Sequence, residues 1–262
     1  MKIASWNINS IRIRIDTIRQ YLQHEHPDIL CLQETKVSDD QFPINAVKDL
    51  GFPYVYFHGE KSYNGVAILS KFELQILENL KFTDIPHTRH MSALIPGDIE
   101  LHNFYFPAGG DIPNPVLNQK FQHKLDYVKE SKEWFIKNRK EHDKIILLGD
   151  LNIAPLENDV WSHKQLLDVV SHTPIEVEHI QELYDSIAFR DVIRKFVPKE
   201  QKLYTWWSYR NRDWKKSNRG RRLDHIWGTE KISDCVAEYR VFSDARDFDK
   251  PSDHVPISIN LK

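Results

Sequence analysis

The sequence predicts a sheet-rich α/β fold in which two packed sheets have helices on their outer faces. Short apolar runs, separated by Gly, Pro, Asn and Asp, dominate the middle of the chain, and helical patterns occur near both ends. No repeat of fixed period and no Pro/Gly/Ser-rich linker divides the 262 residues, of which 40% are hydrophobic. We therefore expect one domain spanning residues 1–262.

The N-terminal elements are predicted from their spacing. Residues 2–7 are typical of a strand. A helical face is formed by Ile11, Ile15, Ile18 and Leu22. The pattern predicts a helix that begins near these residues, with Asn9 or Ser10 as its N-cap. Residues 29–32 predict a fully buried strand, which ends just before Glu34.

The rest of the chain continues the alternation. Strands and hairpins are predicted at residues 54–57, 66–69, 74–77, 93–95 and 99–106. Residues 116–140 predict the longest helix, 144–148 a buried strand, and 160–196 a polar, more helical segment. Closing strands are predicted at residues 204–207, 222–227, 237–242 and 255–261.

Composition limits the classes of function. Lys and Arg number 36 and Asp and Glu 38, a net charge of −2, so a polyanion could bind only where basic residues concentrate. Two cysteines form no disulfide framework, and the chain has neither an apolar run of membrane-spanning length nor a signal-peptide pattern. We expect a cytoplasmic protein with no membrane partner. A monomer is the default because heptads are absent.

Side chains able to bind metal or move protons follow several of the apolar runs. They are Asn7, Glu34, Asp150, Asn152, Asp253 and His254, with Asp224 inside a further strand-like run. Strand ends at one sheet edge can gather distant residues into one site. Carboxylate and amide oxygens suit a hard cation such as Mg²⁺ or Mn²⁺, and an acid-paired histidine suits proton transfer. The set indicates phosphoester hydrolysis. No zinc spacing, GxSxG elbow or P-loop is present.

A basic and aromatic stretch indicates a nucleic-acid partner. Its cations are Arg210, Arg212, Lys215, Lys216, Arg219, Arg221 and Arg222, and its aromatic residues are Trp206, Trp207, Tyr209 and Trp214. Cations of this density can hold phosphates, and aromatic rings can stack on bases or fill the gap at a missing base. We expect at least one of the two adjacent tryptophans to lie in the core instead.

Eight segments in this order resemble the exonuclease III branch of the endonuclease/exonuclease/phosphatase family. They are residues 5–9 (SWNIN), 32–36 (LQETK), 63–67 (YNGVA), 103–107 (NFYFP), 149–155 (GDLNIAP), 204–210 (YTWWSYR), 222–225 (RLDH) and 250–256 (KPSDHVP). The resemblance covers essentially the whole chain. It implies a four-layer αββα sandwich with two mostly antiparallel sheets.

The resemblance also implies residue roles. The implied metal ligands are Asn7, Glu34, Asp150, Asn152, Asp253 and His254, with Glu34 as the main one. The implied catalytic residues are Tyr105, Asp150, Asn152, Asp224 and His254: Asp150 activates water, Asn152 holds the phosphate or nucleophile, Tyr105 contacts the phosphate, and Asp224 orients His254. We expect DNA contacts from Trp206, Tyr209, Arg210, Arg219 and Arg221, with Lys120 near the backbone.

The implied activity is Mg²⁺-dependent (or Mn²⁺-dependent) hydrolysis of DNA 5′ to an abasic site, with 3′→5′ exonuclease activity on double strands. It would leave a 3′-hydroxyl and a 5′-deoxyribose phosphate. Two alternatives stay open at this point. The same fold could act on inositol phosphates or sphingomyelin, and a DNA-binding protein without catalysis could retain the scaffold. The basic aromatic stretch favours DNA, and the complete set of polar residues favours an enzyme.

Overall fold

Two β-sheets lie face to face in the computed structural model, which describes residues 1–211 and 213–262. Arg212, part of the basic stretch, lies outside them. The strands are β1 (Lys2–Asn7), β2 (Ile29–Gln33), β3 (Tyr54–Glu60), β4 (Tyr63–Ser70), β5 (Gln75–Ile76), β6 (His90–Ile95), β7 (Ile99–Tyr105), β8 (Ile145–Asp150), β9 (Arg190–Asp191), β10 (Trp206–Trp207), β11 (Gly220–Arg221), β12 (Asp224–Gly228), β13 (Val236–Val241) and β14 (Ile257–Leu261). The helices are α1 (Ile15–His24), α2 (Ile44–Lys48), α3 (Gln119–Asn138), α4 (His163–Leu166), α5 (Pro174–Asp185), α6 (Trp214–Ser217) and α7 (Glu230–Cys235).

Both large sheets are mostly antiparallel, as the sequence predicts. The first has the order β13-β14-β1-β2-β4-β3 and the second β5-β6-β7-β8-β12-β9. In the first sheet β1 and β2 are parallel, and in the second β7 and β8 are parallel; the neighbours of these pairs run antiparallel. Each sheet therefore has a parallel pair near its centre, and the two pairs supply several of the polar strand ends.

The core has three layers of apolar contact. Between the sheets lies a cluster that includes Ile68, Leu101, Leu148, Ile226 and Ile257. On the outer face of the first sheet α1 packs through Ile18 and Tyr21 against Trp6 and Leu32. On the outer face of the second, α3 and α5 pack through Val128, Phe135 and Leu183 against Phe104 and Leu147. The predicted four-layer sandwich is confirmed.

The long helix has the predicted face. Phe121, Leu125, Val128 and Phe135 of α3 are buried, and the Asn118 side chain caps the helix by accepting from the Lys120 amide. The helix is shorter than the predicted 116–140 because Asn118 ends the preceding loop. None of the helices within the described residues is long and apolar enough to cross a membrane.

The predicted start of the first helix is wrong. Helix α1 begins at Ile15, its N-cap is Arg14, and no side chain caps it. Asn9 and Ser10 instead have φ values of 47° and 88°. The reason is tertiary: the amides of residues 8, 10 and 11 bond the carbonyls of residues 33, 34 and 35, which holds this segment beside the extension of β2.

Candidate active site

Strand register brings the polar strand ends together. In the first sheet Asn7 of β1 lies opposite Gln33 of β2, so Glu34 follows directly beside Asn7. In the second sheet Asp150 of β8 lies opposite Tyr105 of β7 on one side and Asp224 of β12 on the other. The two rows meet across the sandwich, where one Asn7 amide bonds carboxylates of both sheets.

The backbone around these residues is unusual. Gly149 lies inside β8 rather than in a turn, at φ 134°, and a Cβ there would come within 1.9 Å of the Phe104 carbonyl oxygen. Glycine is therefore required for β7 and β8 to approach. Glu34 and Asn152 have φ values of 52° and 53°, a left-handed conformation that costs about 1 kcal/mol or more for a non-glycine residue. Such conformations concentrate at functional sites.

The carboxylates are held by amide donors. Asn7 Nδ2 donates to Glu34 Oε1 at 2.9 Å and to Asp150 Oδ2 at 2.8 Å. Asn152 donates to Asp150 through its backbone amide at 3.0 Å and its side chain at 3.3 Å, and also to the Phe106 carbonyl. Ligand atoms of Glu34, Asp150 and His254 all lie within 4.8 Å of one another. The described residues thus contain an acidic cluster that could hold a metal ion.

Burial and charge set the pKa of each carboxylate. Burial raises the pKa of Asp150 to about 7; the charges of Asp224 and Glu34 act in the same direction and that of His254 opposes them. For Glu34, burial would raise the pKa, but Lys36 at 2.7 Å and the Asn7 hydrogen bond outweigh it and lower the pKa. The carboxylates of Glu34 and Asp150 lie close together, and burial disfavours the anionic form of Asp150. Their oxygen atoms are the ligands that a hard divalent cation prefers.

His254 is aligned by a buried carboxylate. Its Nδ1 lies 2.8 Å from Asp224 Oδ2, and that oxygen also accepts from the Thr205 hydroxyl at 2.6 Å. Its Nε2 points toward Asp150 Oδ2, 3.6 Å away. Burial would lower the pKa of His254, but Asp224 and Asp150 outweigh it and raise the pKa to about 10. His254 is thus held by a buried carboxylate while its other ring nitrogen faces the acidic cluster.

Tyr105 and Asp253 complete the polar surface. Burial, reinforced by the charge of Glu34, raises the pKa of Tyr105 well above its usual value, so its hydroxyl stays a donor at neutral pH. The Arg89 guanidinium lies over the Tyr105 ring at 4.8 Å. Asp253 accepts from Asn9 Nδ2 and from Trp206 Nε1, each at 2.9 Å. Asp253 therefore links Asn9, in the segment after β1, to Trp206 of the aromatic segment.

These groups open into one cleft of about 740 Å³. Glu34, Tyr105, Asn152, Asp253 and His254 line its acidic end. Its other end is basic and aromatic, with Trp161, Arg210, Arg219 and Arg221, and Trp206, which bonds Asp253, lies between the two ends. The Arg221 guanidinium lies over Trp206 at 5.4 Å and that of Arg219 over Trp161 at 4.7 Å. The cleft thus pairs a cation-attracting end with an anion-attracting end.

Two residues expected to contact DNA have other surroundings. The Tyr209 hydroxyl accepts from Arg14 and donates to the Pro251 carbonyl, both at 2.9 Å, and its ring is half exposed. Lys120 is exposed on the first turn of α3. Neither Tyr209 nor Lys120 is among the described residues that line the cleft. Trp207 packs in the core, as expected for one of the adjacent tryptophans.

Sequence reasoning missed several residues of the site. Thr205 holds Asp224, Asn9 holds Asp253, and Trp161 with Val170 forms a wall of the cleft. Thr205 stands inside the aromatic motif and Asn9 inside the first one, so the motifs could have suggested both. Trp161 and Val170 belong to the polar segment 160–196 and carry no motif. Only the tertiary structure shows their position.

A sandwich whose strand ends gather carboxylates, amides and an acid-paired histidine defines a class of phosphoester-cleaving enzymes. Residues 4–254 match the model of the endonuclease/exonuclease/phosphatase family, and the chain belongs to that family.

Similar proteins agree over the full length. Exodeoxyribonuclease III of Haemophilus influenzae is 32% identical, with 100% of both chains covered. An AP endonuclease from Archaeoglobus fulgidus superposes with a TM-score of 0.92 at 31% identity, covering 100% of this chain and 99% of that one. A 3′ phosphatase from Neisseria, bound to a product DNA hairpin, gives 0.90 at 31% identity with the same coverage.

Proposed function

We propose that the protein is a DNA repair nuclease that hydrolyses the phosphodiester bond 5′ to an abasic site and removes nucleotides or phosphate from 3′ ends of double-stranded DNA. The cleft carries this proposal: the Glu34 carboxylate and the aligned histidine line a space whose other end holds Arg210, Arg219 and Arg221. The names of the similar proteins, which include an AP endonuclease and a 3′ phosphatase, support the DNA substrate.

The acidic cluster fits a metal cofactor. Glu34 and Asp150 would hold Mg²⁺ or Mn²⁺, and the remaining expected ligands are Asn7, Asn152, Asp253 and His254. When bound, such an ion neutralises charge on phosphate oxygens and lowers the pKa of water. The supporting observation is the donor set, which consists of oxygen atoms of carboxylates and amides.

Asp150 is placed to act as the general base. Burial raises the pKa of Asp150, so this carboxylate is more basic than an exposed one, which suits proton transfer. The amide donors of Asn7 and Asn152 fix its two oxygens, so a water approaching the site meets a carboxylate in one orientation. Asp150 would take the proton of the attacking water, and Asn152 would hold the phosphate beside it.

His254 and Tyr105 are placed to stabilise charge on the phosphate. The raised pKa of His254 keeps the imidazole protonated, and that of Tyr105 keeps the phenol protonated. Both side chains line the cleft, so both can donate hydrogen bonds to phosphate oxygens as charge develops. Asp224 orients His254 without touching the cleft surface.

The basic end would hold the DNA strand. Arg210, Arg219 and Arg221 would bind backbone phosphates, and Trp206 offers a ring against which a sugar or base can pack. An abasic nucleotide leaves the helical stack at low cost, which favours its entry into the cleft over that of an intact nucleotide. Tyr209 and Lys120 would act at the periphery.

We further propose that residues 1–262 act as one domain, as a monomer in the cytoplasm. The shared core between the sheets supports the first statement, because β1, β8, β12 and β14 all contribute to it. Double-stranded DNA with abasic sites or 3′ ends is the proposed partner.

Cleavage of a labelled duplex that carries one abasic-site analogue tests this function. With Mg²⁺ the protein should nick 5′ to the lesion, with EDTA it should not, and an undamaged duplex should shorten from its 3′ ends. Asp150→Asn should lower nicking by about 10²–10⁴-fold while the affinity for the duplex stays unchanged. If neither duplex is cut with Mg²⁺ or Mn²⁺, the proposal fails, and inositol phosphates and sphingomyelin become the substrates to test.

A further inference from the structure

A fully buried ion pair lies behind the cleft and has no part in the chemistry described above. Lys124 of α3 and Glu176 in the first turn of α5 are both 0% exposed and contact each other. Charges that leave water without bonded partners destabilise a fold, and even a well-bonded buried pair contributes little net stability. The pair is therefore better explained by what its hydrogen bonds hold in place.

The Lys124 ammonium reaches the backbone of the active site. Its Nζ donates to the Asn152 carbonyl at 2.8 Å and to the Ala108 carbonyl at 3.3 Å, besides Glu176. Asn152 is the residue with φ 53° that donates two hydrogen bonds to Asp150. One ammonium thus ties the left-handed turn after β8 to the loop after β7.

The Glu176 carboxylate extends the same network to the opposite wall. It accepts from the Ser171 amide at 2.8 Å and from the Thr173 amide and hydroxyl at 3.1 and 2.7 Å. Ser171 in turn accepts from Arg221 at 2.7 Å. The network therefore runs from the acidic end of the cleft to its basic end.

The packing leaves this network little freedom. Gly109 has φ 90°, and a Cβ there would lie 2.9 Å from Lys124 Cδ and 3.2 Å from Val170 Cγ1. The loop after β7, the Lys124 stem and the segment before α5 are therefore in close contact. Displacement of Lys124 would remove contacts that hold the loop after β7, the turn at Asn152 and the segment before α5 together.

We infer that Lys124, paired with Glu176, is a positioning residue that holds Asn152 against Asp150 and so fixes the orientation of the base. The inference rests on the proposed function, because it assigns the role through Asp150. Lys124 is fully buried and is not among the described residues that line the cleft. It acts through the carbonyl of Asn152.

The decisive variant removes both charges together. In Lys124→Met/Glu176→Gln no charge is left unpaired in the interior, whereas Lys124→Met alone leaves a buried carboxylate without its partner. The control is Lys132→Met/Glu182→Gln, which removes an ion pair between the same two helices at the surface. The substrate is the labelled abasic duplex with Mg²⁺.

We expect the double variant to unfold within a few degrees of the wild-type temperature. Its kcat should fall by about 10–100-fold with KM within about 3-fold, because misplacement by about 1 Å can cost about 10²-fold in rate. Deuterium exchange should be faster in segments 106–111, 150–155 and 169–174 than in wild type. The control pair should change none of these quantities.

Other outcomes overturn the inference. A folded double variant with wild-type kcat, or with a raised KM alone, shows that Asn152 does not depend on Lys124. A double variant that does not fold shows that the pair serves stability instead. If the wild-type protein cuts no DNA, the proposed function fails. Unchanged deuterium exchange in the three segments of the double variant would refute the positioning role whether or not the protein cuts DNA.

Discussion

Replacing Asp224 by Asn tests how far the histidine depends on its buried partner. The change preserves the volume of a side chain that is 0% exposed, so it makes no cavity. It replaces an acceptor, which receives bonds from His254 Nδ1 and the Thr205 hydroxyl, by an amide that can present a donor instead. The ring of His254 then loses both its orientation and its charged partner.

The size of the effect follows from the bond that is lost. A charge-assisted hydrogen bond contributes about 1.5–3 kcal/mol. If that contribution is made in the transition state, kcat falls by roughly 10–150-fold. Thr205→Val removes one bond to the same carboxylate and should lower kcat less. Both changes act through His254, so their effects should not add. The double variant Asp224→Asn/Thr205→Val should have a kcat within a few-fold of that of Asp224→Asn alone.

Single-turnover nicking of the abasic duplex measures the chemical step directly. Asp191→Asn is the matched control, because it weakens an ion pair with Arg222 on the edge strand β9, beside β12, and Asp191 bonds neither Asp224 nor His254. It should lower the unfolding temperature and leave the rate of nicking unchanged. An Asp224→Asn variant that is folded and nicks at the wild-type rate would refute the assigned alignment of His254.

Two further predictions concern binding and stability. Arg219→Ala should reduce the slope of log affinity against log salt by about 1 in filter binding to the duplex, because one phosphate contact is lost. The control is Lys140→Ala, just after the C-terminal end of α3, which should leave that slope unchanged. The free energy of unfolding should fall by up to about 3 kcal/mol between pH 6.5 and pH 4 through His225 alone. Burial, with the charge of Arg222, lowers the pKa of His225 to about 4, so the unfolded chain binds this proton first as the pH falls. Urea titrations should show this part of the pH dependence missing in His225→Gln, and an identical pH dependence in both proteins would exclude His225 as its source.

The sequence by itself determined the elements that depend on local pattern. Apolar spacing placed α3 and its buried face, because a helix that buries one face repeats apolar residues with the helical period. The continuous apolar runs placed β2 and β8, because these strands are buried on both faces. The polar residues at the ends of those runs could also be identified, since Asp150 is the last residue of β8 and Glu34 directly follows β2, and a carboxylate at the end of a buried apolar run needs a polar partner. Their motif order carried the resemblance to the family that the comparisons then confirmed.

The tertiary structure alone decided how these residues are held. Register across β7, β8 and β12 aligns Tyr105, Asp150 and Asp224, and no spacing along the chain encodes that pairing. It also decided the start of α1, because hydrogen bonds to residues 33–35 override the local preference of Asn9 for capping a helix. Lys124 is the clearest case. In the sequence it is one more lysine of a polar helix, and its burial between α5 and the turn at Asn152 arises only when segments far apart in the chain pack together.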